Sequence, residues 1–106
     1  QGKFYGIGAT VGQTKDGLRV LIVAPIAGSP AEEAGIKAGD IIMSVDGDDT
    51  EGWTVLDAVN RIRGQLGTNV TLTVQRIGES ELIDVIIKRG EIKLPSVTSK
   101  MITDEE

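Results

Sequence analysis

Fourteen glycines among 106 residues cut this chain into short apolar stretches. Glycine disfavours the interior of helix and strand alike, so the elements between these breaks must be brief. Ile7, Ala9 and Val11 alternate with small or polar residues and predict a strand over 7–11. After the turn pair Asp16-Gly17, Leu18 to Val23 predicts a second, more buried strand. Ser29-Pro30-Ala31-Glu32 reads as a helix start, with Ser29 as cap, and Gly35 stops that helix. Ile41 to Val45 is a third strand, closed by Asp46-Gly47. Thr54, with Asp57 three residues on, opens a longer helix that ends at Gly64 after Arg61 and Arg63. Val70, Leu72 and Val74 alternate with Thr71, Thr73 and Gln75, and Leu82 to Ile87 returns as the hairpin partner. Ile92 and Leu94 add a last short strand before Pro95.

Strand pairs without helical crossovers imply antiparallel pairing, and an open sheet must limit its edges. The expected fold is therefore α+β: five to six mostly antiparallel strands in a partly open barrel, with two helices. Residues 1–95 form the domain and 96–106 a linker with an acidic tail.

Composition narrows the function. The net charge is -5 and the cations are scattered, so a phosphate backbone would be repelled. No nucleic-acid partner is expected. Histidine and cysteine are both absent, which removes the commonest general base, the commonest metal ligand and any thiolate chemistry. No apolar run approaches the roughly 18 residues of a membrane span, so no membrane contact is expected. The acidic stretch Asp46-Gly47-Asp48-Asp49-Thr50-Glu51 lacks the spacing of a calcium loop. Neither metal nor cofactor is expected. None of the five serines sits in a nucleophile-elbow motif, so no catalytic residue is assigned.

Three segments carry information about function. Tyr5-Gly6-Ile7-Gly8-Ala9 places glycines either side of one aliphatic residue, where consecutive amides can converge on an anion. A peptide's terminal carboxylate fits such a nest, although the same residues also read as a plain turn before a strand. In the helix after Thr54, Val55, Val59 and Ile62 fall on one face. Most of that face reads as core; Val55 and Val59 are the part that lines a groove beside the first strand. The stretch from Gly28 to Ile42 reads as structural: a capped helix turn, a glycine stop and a strand.

This last stretch, followed by Val45-Asp46-Gly47, closely resembles the S-P-A-x-x-A-G-φ-x-x-G-D-x-I pattern of bacterial PDZ domains. Phe4 to Ala9 resembles the F-x-G-I-G-A opening of the PDZ domain in C-terminal processing (tail-specific) peptidases, which are Ser/Lys serine proteases. Lys88-Arg89-Gly90-Glu91-Ile92 and Leu94-Pro95-Ser96-Val97 resemble the stretch that leads from that domain into the protease core.

The resemblance covers about residues 4–97. It implies a peptide-binding module that captures substrate C-termini by strand addition and positions and gates them for the protease. The peptide-binding residues would be Gly6, Ile7, Gly8, Ala9, Thr10, Val11, Val55, Val59 and Ile62. The amides of Ile7, Gly8 and Ala9 would hold the carboxylate, and the strand would pair with the ligand. The family's catalytic Ser and Lys lie beyond its PDZ domain, so this chain would not be an enzyme by itself. Its partners would be C-terminal peptides of unfolded or extended proteins and the protease core of the same parent chain. The family setting is extracytoplasmic, periplasmic or cell envelope. Two departures stand out. Ala9 occupies a place where metazoan PDZ loops carry a large residue. Val55 stands where metazoan domains that select Ser or Thr carry His. The alternative is a scaffold PDZ domain of another envelope protease or secretion component. A self-sufficient enzyme and a domain with no ligand are the further readings.

Overall fold

In the computed structural model, which describes residues 6–90, the stretches between glycines become six strands and two helices. The strands are β1 Ala9–Gln13, β2 Val20–Pro25, β3 Ile41–Val45, β4 Asp48–Asp49, β5 Asn69–Gln75 and β6 Ile83–Lys88. The helices are α1 Pro30–Ala34 and α2 Val55–Ile62. Every strand pairing is antiparallel, in the order β1-β2-β3-β5-β6, with β4 off this path against β3. The sheet is one open sheet, and β1 and β6 are its two edges. This is the α+β arrangement expected from the sequence.

Local chemistry explains most element boundaries. The Ser29 hydroxyl accepts from the Glu32 amide at 3.2 Å, and Gly35 closes α1 at φ 100. Thr54 and Asp57 form a complete capping box at the start of α2. Asp46 and Gly47 both take positive φ (51 and 88), as a two-residue mirror-image turn requires, and the turn folds β4 back onto β3. β4 was not expected.

Three boundaries differ from expectation. The first strand begins at Ala9, not Ile7, because the carbonyls of Ile7 and Gly8 accept bonds outside the sheet. The second strand begins at Val20, since Leu18 belongs to a turn tied by its amide to Asp16. α2 ends at Ile62, and the cap residue Arg63 is already extended (φ -66, ψ 152). Gly64 does not take the left-handed conformation expected of a helix stop. A side chain there would stand 2.6 Å from the Arg89 guanidinium, so glycine is needed for space. The expected strand at Ile92 and Leu94, and the linker over 96–106, lie outside the described residues.

The core is aliphatic. Ile7, Ile22, Ile42, Ile62, Leu72 and Ile87 are its largest fully buried side chains, and Trp53 packs at its margin. One ion pair joins a buried carboxylate to a half-buried guanidinium. Asp40 is fully buried and takes a two-pronged contact from Arg76, Nε to Oδ1 at 2.9 Å and Nη2 to Oδ2 at 2.8 Å. The Lys37 amide also donates to Asp40, at 3.0 Å. The hydrogen bond to Asp40 raises the pKa of Arg76 above its ordinary value.

Candidate peptide-binding groove

β1 pairs with β2 alone among the described strands, so its outer row of amides and carbonyls is open. α2 packs against β1. The direction of the helix is fixed at both ends. Near its start, the Gln13 side chain at the end of β1 donates to the Trp53 carbonyl at 3.3 Å. At its finish, Arg89 Nε donates to the Ile62 carbonyl at 2.6 Å, while the Gly90 amide donates to Gly6 at 3.3 Å. Hence α2 runs opposite to β1, and its C-terminal end lies by the loop that precedes the strand.

That loop is held from behind. The Ile7 carbonyl accepts from the Ala31 amide and the Gly8 carbonyl from the Ile26 amide, each at 2.8 Å. Gly8 takes φ 85, and a Cβ there would stand 2.3 Å from the Ser29 Cβ. With both carbonyls turned toward α1 and the turn before it, the amides of Ile7 and Gly8 meet no acceptor among the described residues. Both residues are buried. Successive amides without an acceptor are the kind of group that can converge on an anion.

The side chains fall into two groups. Ile7 and Ala9 are fully buried, and their side chains belong to the core. Thr10 and Val11 are half-buried, and Val11 packs against the core. On α2, Ile62 is part of the core cluster and only 1% exposed. Val59 is buried yet outside that cluster, and Val55 is half-buried and also outside it. On the apolar face of the helix, Ala58 and Ile62 join the core cluster and Val55 and Val59 do not. Leu56, on the same helix, is 66% exposed.

Two supporting residues were not among the expected site residues. Ser29 was read as a helix cap only, but its buried side chain also sets the space that Gly8 must fit. Arg89 is buried, and besides Ile62 it donates to the Thr68 hydroxyl at 2.9 Å and the Asn69 carbonyl at 3.2 Å. It caps the carbonyl end of α2, where a cation suits the helix dipole.

The acidic stretch has structural partners. Asp49 accepts from the Glu51 amide at 2.8 Å and from Arg19 at 2.7 Å, contacts that hold its pKa below the ordinary carboxylate value. Asp46 accepts from the Thr71 amide at 2.8 Å, and Asp48 pairs with Arg61. Arg61 also lies 5.1 Å from the centre of the Trp53 ring. Two clefts are lined by none of the expected site residues. One of about 280 Å³ is lined by Arg19, Met43, Thr73 and Leu82 among others. The other, about 390 Å³, is lined by Trp53, Asp57, Asn60 and Arg61. A groove completed by an added strand needs no deep cavity, because main-chain bonds supply much of the affinity.

Comparison with known proteins follows the same lines. The family model described as "PDZ domain" matches residues 21–76. Carboxy-terminal processing protease CtpA of Bacillus subtilis (strain 168) is 50% identical over 98 residues, which is 92% of this chain and 20% of that protein. Among solved structures, the photosystem II D1 C-terminal processing protease is 27% identical with a TM-score of 0.79, over 88% of this chain and 24% of that one. The PDZ domain of the carboxy-terminal protease from Vibrio cholerae, solved in complex with peptide, is 33% identical with a TM-score of 0.74. That match covers 87% of this chain and 100% of that one. The chain spans about a fifth of the length of the curated relatives it matches.

Proposed function

The chain belongs to the PDZ domain family, and from that premise we propose that it captures the free C-terminus of an extended polypeptide for a C-terminal processing protease. The ligand adds as a strand to the open edge of β1, antiparallel to it. The observation that carries this reading is the pair of amides at Ile7 and Gly8 with no acceptor among the described residues. A terminal carboxylate supplies that acceptor, and a bond to an ionised group is the stronger kind. Its last residue then lies opposite Ala9. Alternate side chains of an extended ligand face the same way. The terminal side chain and the one two places before it therefore turn toward α2. The first meets Val59 near the end of the helix, and the second meets Val55 near its start.

Gating finds support where the described chain ends. Arg89 is bonded to the end of α2, and Gly90 to Gly6 at the entry of the carboxylate loop. Both groove walls are thus tied to the two residues through which the chain continues toward the rest of the parent. A ligand that shifts either wall acts on that exit. Catalysis itself belongs to other parts of the parent protease, of whose relative CtpA this chain covers only 20%.

The test is calorimetric titration with matched peptides whose C-termini are free or amidated. Loss of a charge-assisted bond costs roughly 1.5–3 kcal/mol, so amidation is expected to weaken binding at least tenfold. Equal affinities for the two peptides would remove the basis of the proposal.

A further inference from the structure

We propose that Gln13 is a positioning residue: it fixes the start of α2 against β1, and so sets which side chain fits two places before the ligand's C-terminal residue. The inference rests on strand capture along β1. Its own evidence is one carboxamide. Gln13 Nε2 donates to the Trp53 carbonyl at 3.3 Å and to the Gly17 carbonyl at 3.2 Å. Both partners are acceptors, so the side-chain nitrogen and not its oxygen faces them, and both of its hydrogens are used.

The two carbonyls belong to different segments. Gly17 lies between β1 and β2, whereas Trp53 directly precedes the cap Thr54 and the first helical residue Val55. Gln13 is itself the last residue of β1. Its side chain thus spans from the strand that receives the ligand to the helix wall, two residues before Val55. A second tie holds the same loop: the Gly52 amide donates to the Leu18 carbonyl at 2.8 Å. That bond reaches the turn after β1 and not β1 itself. It keeps the chain before α2 attached when Gln13 is changed, and Gln13 is exposed, so its substitution leaves the core intact.

The two ends of α2 are held unequally. The buried Arg89 bonds the Ile62 carbonyl at 2.6 Å, close to Val59. The exposed Gln13 bond at the other end is longer, and water competes for it. Val59 meets the terminal ligand side chain and Val55 the one two places before it, so each tie governs one position. Without Gln13 the start of α2 swings away from β1 about the end that Arg89 holds. The groove then widens beside Val55 and keeps its width beside Val59. A tied wall limits the size of the side chain next to Val55, and a freed wall admits a larger one.

The experiment uses two pairs of free-acid peptides. One pair carries Val or Phe two places before the terminus, and the other carries Val or Phe at the terminus. They are titrated into wild type, Gln13→Leu, Gln13→Glu and Gln13→Lys, with an amidated Val peptide as control. Gln13→Leu removes the donors, and Gln13→Glu turns an oxygen toward the two carbonyls. In both, the Val-to-Phe ratio two places before the terminus should fall by about two- to tenfold, the equivalent of one net hydrogen bond. The ratio at the terminus and the dependence on a free carboxylate should persist. Gln13→Lys, whose ammonium can donate to both carbonyls, should restore the wild-type ratio. An unchanged ratio in the Leu and Glu variants, or an equal fall at both ligand positions, would overturn the role of Gln13 and leave strand capture standing. Equal binding of acid and amide peptides to wild type would overturn strand capture itself, and this inference with it.

Discussion

Gly8 shows how much of the candidate site depends on single atoms. Two demands meet there: a left-handed backbone at φ 85, and a Ser29 Cβ 2.3 Å from where a side chain would begin. The first costs an L-residue roughly 1–2 kcal/mol, and forced overpacking adds roughly 1–3 kcal/mol. Gly8→Ala is therefore expected to lose about 2–5 kcal/mol in denaturant unfolding. Gly12→Ala should cost far less, because it needs no unusual φ and meets only a valine methyl. Similar losses for the two would mean that Ser29 does not brace the loop. The glycine-flanked loop was legible in the sequence as a sharp turn before a strand. Its brace was not, because Ser29 is 21 residues away and its cap role already accounted for it.

At the scale of elements, what could be read from sequence is what short-range chemistry decides. The Ser29 and Thr54 caps and the Gly35 stop are each set by residues within four positions of one another, and the structure has all three. The end of α2 is set instead by Arg89, which approaches from β6 and needs Gly64 to be bare. No local pattern carries that information. The bulge in β2, where Val23 has no partner on β1, was hidden in the same way, since register belongs to a pair of strands. The division of the α2 face is intermediate: the 3.6-residue period marks Val55, Val59 and Ile62 together, but only packing separates Ile62 as core. If Val55 lines the groove, a ligand hydroxyl beside it goes unpaired, whereas an aliphatic group gains about 0.8 kcal/mol per methylene. Peptides with Val or Ser two places before the terminus should then differ at least about fourfold in favour of Val. In Val55→His that preference should vanish or reverse. An unchanged ratio in the variant would place Val55 outside the groove.

For the molecule as a whole, one open sheet leaves two edges to be managed. α1 packs beside β6, while β1 keeps its outer row of main-chain groups open next to α2. An unprotected edge is a liability for association, and here it adjoins the amides of Ile7 and Gly8, which meet no acceptor among the described residues. The central claim is that a ligand's terminal carboxylate completes that edge. Proton–nitrogen NMR of the chain, titrated with free-acid and amidated peptides, tests it most directly. The account predicts that the free-acid peptide moves the amide protons of Ile7 and Gly8 downfield more than any others and slows their exchange with solvent. Smaller shifts should follow along Ala9–Gln13, and the amidated peptide should reproduce little of this at equal concentration. Shifts centred on the Trp53–Arg61 cleft or around Arg19 and Leu82, with Ile7 and Gly8 unmoved, would contradict it.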